Sequence, residues 1–268
     1  MTILQAIILG IVQGITEFLP VSSSGHLQIF KELIGVELTN NLTFDVALHA
    51  GTVCSTFVVL WSEIRKILVG VFSTKFNEEQ AYVIKIILSM IPVAIVGFTF
   101  KDHLEVMLSS QYILLIVGVM LLLTAVLLGY AFYATPKVKD KISYRDAFII
   151  GVAQALAVMP GISRSGATIA TGLILGNKKE SVAQFSFLMV LIPILGNTFL
   201  DIVGSGGDLD FGNVTTVPLI AGFFASFIVG ALACRVMIDV VKRGKLLWFA
   251  YYCLAVGLLS LIGYFWVY

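Results

Sequence analysis

Across 268 residues, 59% of side chains are hydrophobic and only 12% are charged, and mean hydropathy is +1.00, against about 25% charge in globular domains. This composition excludes a soluble domain and a nucleic-acid-binding surface, and a formal net charge of +1 says less about partners than the placement of those charges does. The expected class is an all-α polytopic membrane protein. Met1 precedes no basic stretch or small-residue cleavage site, so no removed signal peptide is expected. Cys54, Cys234 and Cys253 lie in apolar runs and read as small hydrophobes, without a disulfide framework.

A spanning helix needs roughly 20 mostly apolar residues. The first apolar segment, Ile3 to Leu33, is broken by PVSSSGH and reads as two half-helices around a polar turn. Spans are expected at Phe44 to Trp61, Tyr82 to Phe100 and Tyr112 to Tyr133. Ala147 to Leu175 is broken by PGISRSG, and three further spans follow at Ala183 to Gly204, Val217 to Val240 and Leu247 to Val267. Both broken segments are read as re-entrant hairpins, because non-helical backbone at membrane depth needs cover from protein or a water-filled cavity.

Lysine and arginine placement agrees with that choice. With both hairpins re-entrant, one face collects Arg65, Lys66 and Lys75, the basic residues from Lys137 to Arg145, Lys178, Lys179, Lys242, Arg243 and Lys245; the other collects Lys31 and Lys101. The positive-inside rule then sets both termini and the first hairpin on the extracytoplasmic side of a cell membrane, with the second hairpin entering from the cytoplasm.

The broken segments also match each other without a gap. Gly10, Gln13, Ser22, Ser24 and Gly25 fall opposite Gly151, Gln154, Ser163, Ser165 and Gly166 at one constant offset. The same offset carries the first three spans roughly onto the last three. The chain is therefore expected to be one membrane domain, 1–268, of two halves at about 1–140 and 141–268. A hairpin plus three spans is an odd number of crossings, which inverts the second half and brings the two polar turns together near the midplane.

Those turns carry the chemistry. Ser22, Ser23, Ser24, His26 and the amides around Gly25 come from the first; Ser163, Arg164, Ser165, Gly166 and Thr168 come from the second. Half-helix N-termini and a guanidinium fork suit phosphate oxygens. Gln13 and Glu17 share a helix face, and oxygen ligands of that kind suit a hard divalent cation, Mg²⁺ or Ca²⁺. Taken singly, each residue has a plainer reading: interhelical hydrogen bonds for the serines, or an Arg164–Glu17 pair that only neutralises charge. Their convergence in two turns weighs for a site. Asp45 and His49, one turn apart, read mainly as a local pair at a helix end, with a cavity-lining or supporting role as the lesser alternative. Arg235 is matched with Asp239, and His103 is read as solvated.

QGITEFLPVSSSGH and PGISRSGAT resemble the two signature motifs of the undecaprenyl-diphosphate phosphatase family, the bacitracin-resistance proteins, and the resemblance runs the whole length. It implies removal of the terminal phosphate from a polyprenyl diphosphate lipid in a bacterial cytoplasmic membrane, recycling the carrier for peptidoglycan synthesis and conferring bacitracin resistance. By the same resemblance, Gln13 and Glu17 form the acidic motif, Ser23 and His26 match its serine and histidine, and Ser163, Arg164 and Thr168 match the second motif. Glu17, His26, Ser23 and Arg164 are the candidate catalytic residues; Ser22, Ser24, Gly25, Ser163, Ser165, Gly166 and Thr168 are candidate substrate contacts. His26, Ser23 or a water are all open as the attacking group, and His26, the only imidazole in either turn, is favoured as base or nucleophile. A homo-oligomer is left open, and the competing function is a transporter or lipid flippase with a midplane anion site.

Overall fold

A computed structural model describes residues 1–36, 42–108, 110–134, 139–196 and 215–267. Among these residues the ordered elements are helices, and backbone pairing between strands is limited to one parallel bridge, Lys139 to Asn177. The first hairpin is α1 (Ile3–Phe18) and α2 (Ser23–Leu33). Next come α3 (Leu42–Val59), α4 (Trp61–Val71), α5 (Glu78–Leu108) and α6 (Ile113–Tyr133). The second hairpin is α7 (Tyr144–Leu156) and α8 (Arg164–Ile174), followed by α9 (Lys179–Met189), α10 (Thr216–Lys242) and α11 (Leu247–Val267).

Among the described residues five helices are long and apolar enough to cross a membrane, and a sixth span arises if α3 and α4 are taken as one broken element. Their apolar side chains face outward in number: Val126, Ile228, Leu232, Leu259 and Ile262 are all more than half exposed, as lipid-facing residues are. The chain is a multi-pass membrane protein. The span expected at Phe44 to Trp61 ends in a 78° bend into α4, so the chain leaves it sideways. The span expected from Ala183 begins earlier, at Lys179, and is helical to Gly196; its residues 197–204 lie outside the described set. Lys101 and His103 sit on helical backbone, but their side chains also lie outside it.

The two hairpins repeat each other in detail. Thr2 caps α1 and Ser143 caps α7; Ser22 caps α2 and Ser163 caps α8. After α2 and α8 the chain stops on a left-handed glycine, Gly35 (φ 65°) and Gly176 (φ 83°), where a side chain is disfavoured. The next amides close the same turn, Val36 N–H to Lys31 C=O and Asn177 N–H to Gly172 C=O. Packing is reciprocal as well: α1 lies along α10 of the other half, α7 lies along α5, and α6 pairs with α11.

Small residues set these approaches, as expected where helices associate by close contact in an apolar solvent. A Cβ at Gly10 would sit 2.5 Å from the Gly222 carbonyl oxygen, and one at Gly14 would sit 2.8 Å from the Gly230 nitrogen. At Gly151 the added carbon would collide with the backbone of Ser89. Around the inner ends of the hairpins lies the largest apolar cluster, built on Phe18, Ile150, Ile169, Phe185, Phe187 and Met189. It fixes both polar turns against one another.

Candidate active site

Both turns do meet. The Ser165 hydroxyl donates to the Leu19 carbonyl at 3.1 Å, and a Cβ at Gly25 would lie 3.4 Å from the Gly161 Cα. Each turn needs one left-handed residue, but at different places: Gly161 (φ 97°) in the second, and Ser22 (φ 69°) in the first. Ser22 is the only non-glycine residue with positive φ among those described, a strained conformation that the surrounding turn must hold in place.

Glu17 is the hub. Its side chain is 5% exposed, and one carboxylate oxygen accepts from Arg164 Nη2 at 2.9 Å. The other accepts from Ser23 Oγ at 2.6 Å and from Gln13 Nε2 at 2.9 Å. Three donors aimed at two oxygens is the arrangement of an ionised carboxylate, an acceptor only. Helical spacing puts Gln13 above Glu17, and the turn folds Ser23 back over both. Arg164 arrives from the other half as the first residue of α8, its backbone set by the Ser163 cap.

Gln13 touches a second group. Its Nε2 lies 2.9 Å from His49 Nδ1, and since the amide hydrogens point to Glu17 and to the ring, His49 accepts at Nδ1 and carries its proton on Nε2. His49 Nδ1 is also 3.6 Å from Glu17. The local Asp45–His49 pair expected from spacing is thus replaced: Asp45 binds Lys31 at 2.6 Å, and His49 turns to the site. Lys31 is 2% exposed, so one of the two basic residues assigned to the poorer face keeps its charge inside an ion pair.

His26 faces elsewhere. Nδ1 lies 2.8 Å from the Ser22 carbonyl and therefore donates; Nε2 lies 2.8 Å from the Tyr252 hydroxyl and accepts from it. The two rings are nearly parallel, 13° apart with centroids at 5.5 Å. Tyr252, on α11, follows no local motif and is found only through the fold.

The remaining candidates divide. Ser22 and Ser163 hydroxyls accept from the Gly25 and Gly166 amides, at 3.2 and 3.0 Å, and so cap their own helices. Ser24 approaches Ser22 at 3.4 Å, and Ser165 approaches Ser163 at 3.2 Å. Thr168 donates back to the Arg164 carbonyl at 2.9 Å and makes a short contact with Ser186 Oγ. By helix geometry the amides left for a ligand are those at the first two positions, Ser23 and Ser24 on α2, and Arg164 and Ser165 on α8. Arg235 and Asp239, matched by spacing, both lie exposed on α10.

For a divalent cation, the described residues hold no cluster of three His, Cys, Asp or Glu side chains. They do hold Glu17 beside a buried Gln13 Oε1 that has no hydrogen-bond partner among them. Two oxygens fit a hard cation that takes its other ligands from phosphate and water.

Residues 6–259 match the model of the family described as bacitracin resistance protein BacA. The chain belongs to the BacA family. It is 54% identical to the undecaprenyl-diphosphatase of Bacteroides thetaiotaomicron over 98% of this chain and 99% of that one. The corresponding figures for the undecaprenyl-diphosphatase of Parabacteroides distasonis are 55%, 96% and 96%, and for that of Christiangramia forsetii 48%, 98% and 98%. The BacA match and these identities extend through both hairpins, so the whole site lies within them.

Proposed function

We propose that this chain hydrolyses undecaprenyl diphosphate to undecaprenyl phosphate and inorganic phosphate, and so confers bacitracin resistance and recycles the carrier for peptidoglycan synthesis. Membership of the BacA family and the names of its relatives support the activity. One observation carries the site: Glu17, from one half, is gripped by Arg164, from the other, with the Ser23 hydroxyl 2.6 Å away. A guanidinium, two half-helix N-termini and an activated hydroxyl are what phosphoryl transfer asks of a protein.

The favoured reading makes Ser23 the nucleophile. Its proton is already directed at Glu17; as Oγ attacks the terminal phosphorus, that proton passes to the carboxylate and the bond from phosphorus to the bridging oxygen breaks. Arg164 shifts its free N–H groups onto the phosphoryl oxygens. Water then releases phosphate from the seryl ester. The proton that Glu17 has taken then leaves the site by way of His26, whose accepting Nε2 is hydrogen-bonded to the Tyr252 hydroxyl. When bound by Glu17 and Gln13, Mg²⁺ or Ca²⁺ supplies charge neutralisation on the diphosphate.

The two halves, about 1–140 and 141–268, are read as inverted copies within one domain, with the termini and first hairpin extracytoplasmic. The headgroup then enters from that side. The test is phosphate release by purified protein from a long-chain polyprenyl diphosphate, with Mg²⁺, Ca²⁺ or chelator, beside Glu17→Ala and Arg164→Ala. Release that needs a metal and is lost in both variants supports the reading; wild-type protein that releases none overturns it.

A further inference from the structure

Gln154 occupies in the second half the position of Gln13 in the first, yet it has none of the same partners. At the same offset Glu17 and His49 correspond to Val158 and Val190. Gln154 is 1% exposed, and neither Nε2 nor Oε1 finds a hydrogen-bond partner among the described residues. A buried amide left in that state is costly unless something small and polar binds it.

What it faces is a mostly apolar cavity with a few polar groups in its wall. Gln154 lines a narrow cavity with Glu17, Arg164, Thr52, Thr56 and Thr168. Thr52 and Thr56 spend their protons on helix carbonyls, at 2.8 and 3.0 Å, and so present lone pairs. The cavity has room for a water-sized molecule and the two to four polar partners that a buried water requires. An amide that donates and accepts, beside hydroxyl lone pairs and a guanidinium, suits a ligand that also does both.

We infer that Gln154 is the positioning residue for the hydrolytic water, which it holds in this cavity behind the Glu17–Arg164 pair. The inference rests on the hydrolase reading above. In the second step the water oxygen forms the new bond to phosphorus, the bond from phosphorus to Ser23 Oγ breaks, and one water proton returns to Ser23 Oγ. A cavity with room for one water-sized molecule is expected to favour water over a bulkier acceptor.

Dilute methanol is the probe, because transfer to methanol yields methyl phosphate by the same bond changes. Purified full-length protein turns over polyprenyl diphosphate, and inorganic and methyl phosphate are counted together with KM and kcat. Wild type is expected to form methyl phosphate well below methanol's molar share. Gln154→Met, similar in volume but unable to hydrogen-bond, is expected to lower kcat about tenfold at unchanged KM. Gln154→Ala enlarges the cavity and is expected to raise the methyl phosphate share at least fivefold, roughly. Wild type that uses methanol in proportion to its concentration overturns the inference without any variant. Variants with wild-type thermal midpoints, kcat and product ratio overturn it too. Absence of any phosphate release by wild type is a separate result, against the hydrolase reading itself.

Discussion

Arg164 and Glu17 lie 147 residues apart and bind at 2.9 Å, each from the turn of a different half. The carboxylate is almost fully buried and the guanidinium about three-quarters buried, so each is the main charge compensation for the other. Removing one partner of such a pair costs about 3 kcal/mol, because the other is left uncompensated. Arg164→Met and Glu17→Gln are each expected to lower the thermal midpoint, and the double variant to recover most of that loss while staying inactive. Thermal unfolding and phosphate release measured on the three proteins check this; a double variant that simply sums the single losses argues against the pair.

Much of this was legible in the sequence. Two broken segments in constant register announced the hairpins, and the caps at Ser22 and Ser163 sit where their register places them. Glu17 and Arg164 stand out in the sequence because a charge is costly at membrane depth, and Ser23 because it lies in the first motif. Tyr252 does not, since a tyrosine in an apolar span carries no local signal and only tertiary packing brings it to His26. The Asp45–His49 pairing fails for a related reason, and the lesser alternative of a place for His49 beside the site holds: spacing on one helix shows Asp45 as a neighbour but cannot show that Lys31 claims it. The Ser22 and Ser163 hydroxyls, candidate substrate contacts by sequence, cap the Gly25 and Gly166 amides, because helix-end chemistry competes for the same groups.

Tyr252 sets the hydrogen bonding of His26. Its hydroxyl fixes His26 Nε2 as an acceptor, while the Ser22 carbonyl fixes Nδ1 as the donor. Tyr252→Phe keeps the parallel ring and deletes the hydrogen bond. It is expected to slow turnover about tenfold with little change in KM, and to displace one limb of the pH–rate profile. An unchanged profile with a normal rate removes Tyr252, and the acid–base part of His26, from the mechanism.

Gly151 tests the reciprocal packing. On α7 it meets the backbone of Ser89 on α5 with no space for a methyl group, and backbone cannot swing aside. Gly151→Ala is expected to cost about 1–3 kcal/mol as an overpacked contact. Gly97→Ala, on the same α5 but with nothing within 4 Å, serves as the control and is expected to be neutral or slightly stabilising. Thermal midpoints of the two variants decide it; equal midpoints contradict the close approach.

Asp146 gives the fold a dependence on acid. At the mouth of the second hairpin its carboxylate accepts from Lys139 Nζ at 2.9 Å and its backbone N–H donates to the Ser143 cap at 3.0 Å, while Lys139 pairs by backbone with the turn that ends α8. Burial acts to raise this carboxyl, but the hydrogen bond from Lys139 leads a set of opposing contributions from Asn177, the Lys139 charge and Ser143, and the net direction is down. A carboxyl lower in the folded state than in the unfolded chain stabilises fully above the unfolded value, about 3.9, and loses that contribution as pH falls through the folded one. The wild-type thermal midpoint is therefore expected to drop below about pH 4. Asp146→Asn removes the titrating group: its midpoint at neutral pH should be lower than wild type, and its further fall on acidification smaller. Parallel acid profiles for the two proteins show that the clasp contributes nothing to the linkage.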